Sequence, residues 1–190
     1  GWGLRFGGRD GALWLIGAGL ALLWAYSFAP LKFNYRGGGE ALEAGGVGLL
    51  LPLIGYYLYT GHWDAYAWTT VLPLLPLALV GAVGSGLKHA PADRQTGKRT
   101  VAVWAGVGAA QKAMVVLAGL SGGWVVAGFC LGEYGMAAFM GAAMMGRCTF
   151  VAYKELGDLS AFRGGIGRGQ YWLLWALVVD LIASPVSTAA

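Results

Sequence analysis

Charged residues are scarce in this sequence: Asp, Glu, Lys and Arg make up only 12% of the 190 residues. A soluble domain usually carries about 25%, so the composition argues strongly against a water-soluble enzyme. Cysteine is scarce as well, and both cysteines, Cys130 and Cys148, lie within apolar segments. This placement argues against a disulfide framework and a cysteine metal site, and we interpret both residues as packed thiols.

Apolar residues dominate instead, at 57% of the chain. They fall in six runs of about 17 to 22 residues, which is the length that crosses about 30 Å of hydrocarbon as a helix. The runs cover residues 11–28, 44–60, 67–87, 110–131, 134–152 and 170–187. We therefore predict an all-α, polytopic transmembrane helix bundle of about six spanning helices, forming a single domain over residues 1–190.

The basic residues predict an orientation. Nine of the thirteen lie in the connections 30–43, 88–109 and 153–169, and Lys112 and Arg147 lie at adjoining helix ends, whereas Arg5 and Arg9 lie on the other side. By the positive-inside rule these basic connections are cytoplasmic and both termini lie outside, in a bacterial-type inner membrane. Because orientation explains the net charge of +4, we expect no nucleic-acid partner.

Glycine is abundant, with 34 residues, and small residues allow close helix packing in lipid. Pro73 and Pro76 interrupt the third run and predict a kink, either beside an internal cavity or from packing alone. The glycine-rich stretch 164–169 is predicted to be a flexible cytoplasmic loop, since no strand precedes it and no Lys-Ser/Thr pair follows.

The predicted cytoplasmic loop 87–100 carries most of the chemistry. Its ionisable groups are one carboxylate, one imidazole and four cations: Asp93, His89, Lys88, Arg94, Lys98 and Arg99. Such a cluster suits a phosphate or diphosphate, held through Mg²⁺ where carboxylates suffice. From charge alone, an ordinary basic cytoplasmic loop is the favoured alternative.

Two motifs carry a family resemblance. The run PLKFNYRGGGE at residues 30–40 resembles the PLKxxYRGxGE region of the UbiA-type intramembrane prenyltransferases, above all the dihydroxynaphthoate polyprenyltransferases of menaquinone synthesis. The run DRQTGKRTVAV at residues 93–103 is similar to the end of that family's second aspartate-rich motif, NNxRDxxxDxxxGKxTLxV. The resemblance covers essentially the whole chain and implies the C-terminal part, about two-thirds, of a UbiA-like bundle.

The resemblance also implies roles for individual residues. In this family Mg²⁺ assists the transfer of a prenyl group from a prenyl diphosphate to an aromatic acceptor. Asp93 is the candidate metal ligand, and the candidates for binding the diphosphate are Tyr26, Lys32, Arg36, Lys98 and Arg99. For the first three of these, interfacial anchoring and cytoplasmic charge are an equal alternative.

The sequence departs from the family pattern at its acidic positions. No NDxxDxxxD motif occurs in these residues, and in the second motif His89 stands where the family has aspartate. An imidazole does not replace a carboxylate as a ligand of Mg²⁺. We therefore expect a non-catalytic protein among membrane lipids that binds an isoprenoid, quinone, carotenoid or lipid tail.

Two alternative functions stay open. One is an accessory structural subunit, derived from a prenyltransferase, in contact with other subunits of a photosynthetic or respiratory membrane complex. The other is the C-terminal part of an active, Mg²⁺-dependent enzyme of quinone biosynthesis. We expect Gly1 to be a cut edge, and an upstream helix pair carrying NDxxDxxxD would favour the enzyme.

Three further acids need an interpretation. Asp180 lies within the last apolar run, where it is either a functional group or a carboxyl paired with a neighbouring Ser, Tyr or Trp donor. Glu40 and Glu43 either face a cavity mouth or are first-turn acids favoured by a helix dipole. We also expect a cavity between helices that opens toward the loop containing Asp93.

Overall fold

The computed structural model of this chain describes residues 11–63 and 65–183, without the side chains of 66 and 181–183. These ranges contain helices and no strand, which confirms the all-α prediction. The helices are α1 Gly11–Ser27, α2 Phe33–Arg36, α3 Gly39–Gly45, α4 Leu51–Thr60, α5 Ala65–Val71, α6 Leu74–Thr96, α7 Val101–Trp104, α8 Val107–Cys130, α9 Met136–Lys154 and α10 Leu159–Ala183. A π-helical segment, Gly46–Leu50, joins α3 to α4. The predictions for Gly1, Arg5, Arg9 and the end of the sixth run lie outside the described residues.

Four helical stretches are long and apolar enough to cross a membrane, namely Gly39–Thr60, Ala67–Thr96, Val107–Cys130 and Met136–Lys154. The chain is therefore a helical membrane protein, with fewer such stretches among its described residues than the six predicted. The first run forms the apolar helix α1, which with 17 described residues is shorter than these four stretches. The last run belongs to α10, whose hydropathy is reduced by Arg163, Arg168 and Asp180.

The predicted loop 87–100 is mostly helical, so this prediction was wrong. Helix α6 continues through Pro91 to Thr96 and ends at Gly97, whose φ is 76°. The left-handed conformation of Gly97 terminates the helix, and its N–H donates to the carbonyl of Asp93. The apolar run ends at residue 87, but the helix continues because most of the polar residues that follow, Pro91 apart, are compatible with helical geometry.

The glycine-rich stretch 164–169 is also helical, because it lies within α10. Its glycines allow α10 to approach α9: a Cβ on Gly165 would lie 2.9 Å from the Cβ of Ala152, and one on Gly169 would lie 3.1 Å from that of Cys148. Close packing outweighs the low helix propensity of glycine here. The flexible loop predicted from these glycines is therefore a packed helix.

The third run is interrupted at Pro73, one of the two prolines from which a kink was predicted, whereas Pro76 lies inside α6. Helix α5 ends at Val71 and α6 begins at Leu74, so the chain turns at residues 72–73. The proline has no N–H, so it cannot donate to the carbonyl four residues earlier and α5 does not continue through it. At the start of a helix the first N–H groups have no partner within the helix, so α6 can begin next to the proline.

The chain divides into two compact units, Gly1–Ala110 and Gln111–Ala190, and each is described by itself below. A single domain over residues 1–190 stays a prediction.

Candidate functional site

The two motif segments meet in one pocket of the first unit. Residues from the end of α1, from α2 and α3, from the C-terminal half of α6 and from the connection 98–100 line a cavity of about 100 Å³. Its lining residues are Tyr26, Asn34, Gly39, Glu40, Glu43, Ala82, Ser85, Gly86, His89, Asp93, Lys98, Arg99 and Thr100. We call this the polar pocket. A cavity therefore lies beside Asp93, as expected, although Asp93 itself belongs to a helix.

Glu40 connects the two segments. Its two carboxylate oxygens each accept from the backbone N–H of Val101, at 3.0 Å, across 61 residues of sequence. The carboxylate thereby caps the first turn of α7, where a negative charge is favoured. The missing side chain of Gly86 makes room for it, since a Cβ there would lie 3.0 Å from Oε1 of Glu40. Glu40 is thus both a first-turn acid of α3 and a wall of the pocket.

Asp93 makes an ion pair within its own turn. The ammonium Nζ of Lys98 lies 3.6 Å from Oδ1 of Asp93. The left-handed Gly97 folds the chain back, so that the N–H of Lys98 also donates to the Asp93 carbonyl, at 2.9 Å. The side chain of Asp93 is buried, whereas that of Lys98 is 31% exposed. The pair therefore neutralises the carboxylate at the pocket wall.

Tyr26 and Asn34 flank a glycine turn on the opposite side. Gly37 and Gly38 have φ values of 96° and 89°, a left-handed conformation that disfavours other residues. A Cβ on Gly39 would lie 3.3 Å from Cε2 of Tyr26 and 3.0 Å from Cα of Asn34. The small residues of this motif therefore let an aromatic ring and an amide close the pocket.

The polar pocket contains five of the eight predicted site residues: Tyr26, His89, Asp93, Lys98 and Arg99. Lys32 and Arg36 do not line it, and both are exposed at the two ends of α2. Sequence reasoning missed Asn34 and Thr100 as candidates. Both lie inside the two motifs, and this position was the signal that could have identified them, whereas the candidates were chosen only among charged and aromatic residues.

Asp180, the eighth candidate, belongs to the second unit. Its Oδ2 accepts from the backbone N–H of Gly135 at 2.7 Å, directly before the first residue of α9. Any side chain at position 135 would overlap the carboxylate. The partner of Asp180 is thus a backbone donor, and the buried charge caps a helix N-terminus.

The acids of the polar pocket do not fit a resident Mg²⁺ ion. Among the residues that the structure describes, no group of three His, Cys, Asp or Glu side chains is arranged to hold a metal. Glu40 is bonded to Val101 and Asp93 to Lys98, so Glu43 is the remaining carboxylate of the three. A divalent ion usually needs several oxygen ligands at once.

Comparison with known proteins adds no assignment, since no family model, no curated protein and no solved structure matches the chain. Fold and site define the class: a helical integral membrane protein with a polar pocket beside its apolar helices. The resemblance to UbiA-type prenyltransferases stays a prediction from the two motifs.

Proposed function

We propose that this chain is a non-catalytic membrane protein whose polar pocket binds the head of an isoprenoid quinone. The observation that supports this most is the composition of the pocket wall, where neutral hydrogen-bond donors stand beside two carboxylates that already have partners, Glu40 with the Val101 N–H and Asp93 with Lys98. A quinone carbonyl accepts hydrogen bonds without bringing charge. The isoprenoid tail then stays in the surrounding hydrocarbon.

Charge argues against a diphosphate as the ligand. The wall carries three carboxylates and two cations, the latter being Lys98 and Arg99. Lys98 already forms an ion pair with Asp93. Arg99 is then the one cation left for an anion of about three negative charges. Such an anion needs metal ions or more cations in a site of reduced dielectric. A neutral head avoids this cost.

Size and donors favour the edge of a ring. The cavity measures about 100 Å³, less than the roughly 150 Å³ of an engineered cavity that holds benzene. It therefore suits one carbonyl edge of a quinone. Donors for that carbonyl come from Tyr26, Asn34, Ser85 and His89, which line the wall on three different elements.

Photoaffinity labelling tests this proposal on the full chain in lipid nanodiscs. An azido-benzoquinone with a short isoprenoid chain should label peptides of residues 82–100, and excess unlabelled quinone should prevent it. Tyr26→Phe and Ser85→Ala each remove one donor and should weaken labelling by about fivefold. Arg94→Gln is the matched control, because Arg94 is exposed on α6 and does not line the pocket. Labelling of both donor variants at the wild-type level would overturn the proposal.

The second candidate is the C-terminal part of a Mg²⁺-dependent prenyltransferase. The meeting of the two motif segments in one pocket favours it. If it is right, geranylgeranyl diphosphate with Mg²⁺ should protect the pocket from labelling as well as quinone does. We expect no protection, and no radiolabelled prenyl product above an Asp93→Ala control with a naphthoate or hydroxybenzoate acceptor. His89→Asp should stay inactive too, because it restores one ligand position only. The accessory-subunit function stays a prediction.

A further inference from the structure

The second unit contains an apolar groove between α8 and α9, which the quinone proposal does not use. Its volume is about 420 Å³, nearly three times that of the engineered benzene cavity of about 150 Å³. Helix α8 lines it from Val115 to Val126 and α9 from Ala142 to Tyr153. The groove is therefore large enough for a hydrocarbon chain.

Glycines keep this groove open. A Cβ added to Gly119, Gly123 or Gly146 would meet no atom within 4 Å outside its own helix backbone and chain neighbours. At Gly122, in contrast, the Cβ would lie 3.8 Å from the carbonyl oxygen of Ala142. One glycine thus faces the neighbouring helix, while the other three leave space that the chain itself does not fill.

Two lysines and two acids lie near one end of the groove. Lys112 precedes Val115 and Gly119 by three and seven residues, which places it on the same face of α8. On α9, Nζ of Lys154 lies 4.5 Å from the ring centroid of Phe150, a groove residue. Two acids, Glu155 and Asp158, follow in the connection. The Asp158 carboxylate caps α10 by accepting from the N–H of Ser160 at 2.8 Å and from that of Ala161 at 3.0 Å.

A buried hydroxyl lies slightly deeper. Thr149 lines the groove and is 8% exposed, and its Oγ1 has no hydrogen-bond partner among the described residues. A buried polar group without a partner costs about 1–3 kcal/mol, so a ligand acceptor there is favourable. Thr149 precedes Lys154 by five residues, or about 7.5 Å along the helix. In a phospholipid whose phosphate binds the lysine, the ester carbonyls lie at a similar depth below the phosphate.

We propose that this groove holds one acyl chain of an anionic glycerophospholipid. Lys112 and Lys154 bind the phosphate, and after rotation about χ1 the Thr149 hydroxyl donates to an ester carbonyl. The groove runs along twelve residues of each helix, a rise of roughly 16 Å. This length matches one leaflet, half of the roughly 30 Å hydrocarbon core. The two lysines favour a phospholipid over an uncharged isoprenoid, because only the phospholipid carries a phosphate for them to bind.

Native mass spectrometry of the full chain, reconstituted with equal phosphatidylglycerol and phosphatidylcholine, tests the proposal. Wild-type protein should retain phosphatidylglycerol at least tenfold better than phosphatidylcholine. Gly119→Leu and Gly146→Leu fill the groove without meeting other atoms at Cβ, and leucine favours a helix. Each should reduce the retained phosphatidylglycerol at least tenfold. Gly167→Leu is the matched control, since Gly167 on α10 also has open space at its Cβ and should retain it.

Two variants test the polar contacts. Lys154→Gln should abolish most of the preference for phosphatidylglycerol, and Thr149→Val, of equal shape, should weaken retention of both lipids about fivefold. Phosphatidylglycerol retained at the wild-type level after the groove is filled would overturn the proposal. In a parallel reconstitution that also contains an isoprenoid quinone, retention of the quinone instead of phospholipid, and its loss in Gly119→Leu, would overturn it as well. Neither result affects the proposal for the polar pocket, which is tested separately by photoaffinity labelling of residues 82–100.

Discussion

Glu40 and Asp180 are two buried acids with the same local chemistry and different surroundings. Each is 8% exposed and accepts a backbone N–H at the start of a distant helix. A glycine beside each carboxylate makes room for it, at Gly86 and Gly135. Glu40, however, lines a cavity with other donors and charges, whereas Asp180 lines neither cavity described above. Burial of an acid in a helix is thus not enough to indicate function. The acid becomes a functional candidate when other polar groups and a cavity lie beside it.

The largest expected effect is that of Asp180→Ala, which leaves the Gly135 N–H without its charged acceptor. We expect a loss of about 3 kcal/mol in the free energy of unfolding, because hydrogen bonds to charged groups contribute about 1.5–3 kcal/mol and the buried donor stays unpaired. Asp180→Asn retains an acceptor oxygen and should cost about 1 kcal/mol. Unfolding in mixed micelles, followed by circular dichroism, measures both. Equal losses would show that the cap depends on the charge.

Gly135→Ala tests the same cap from the other side. The new methyl group overlaps the Asp180 carboxylate, so the cap must shift, and we expect a loss of about 2 kcal/mol. Gly167→Ala on α10 is the control, since its Cβ enters open space. That control should gain up to about 1 kcal/mol from helix propensity. A Gly135→Ala variant as stable as wild type would show that the Asp180 hydrogen bond is dispensable.

Gly86→Ala should separate structure from ligand binding in the polar pocket. Its Cβ would lie 3.0 Å from Oε1 of Glu40 and 3.3 Å from the Cβ of Thr100, so both neighbours must shift slightly and the stability loss should be about 1 kcal/mol. The methyl group also enters the pocket and should reduce quinone labelling severalfold. Thermal unfolding and labelling on the same preparation give both numbers. Unchanged labelling would place the quinone elsewhere.

The smallest effect is expected for Lys98→Met, which removes the ion pair with Asp93. The two groups lie 3.6 Å apart and Lys98 is 31% exposed, so solvent screens the interaction and the loss should be at most about 1 kcal/mol. A loss as large as that of Asp180→Ala would mean that the pocket charges stabilise the fold as strongly as the Asp180 cap does.

The correspondence between sequence and structure differs from helix to helix. Hydropathy located α8 and α9 within a few residues, because apolar residues fill most of both helices. It ended the third run at residue 87, whereas α6 continues to Thr96. The glycines of α10 predicted a loop, because their propensity is low and their close packing on α9 is invisible along the chain.

Five of the thirteen pocket residues were candidates from the sequence, but the connections between them were not predicted. The sequence suggested Tyr26, His89, Asp93, Lys98 and Arg99 by residue type and order. It contains no local signal for the bond from Val101 to Glu40, which spans 61 residues. Lys32 and Arg36 looked equally suitable, yet the turn into α2 leaves both exposed and outside the pocket.

The sequence by itself determined the class of this protein, because transfer of apolar helices into hydrocarbon depends on composition and run length alone. Tertiary structure alone decided which acid meets which backbone donor and where the polar pocket and the apolar groove lie. Those features arise from contacts between segments far apart in sequence, where a missing side chain at Gly86, Gly119 or Gly135 matters only because of what faces it.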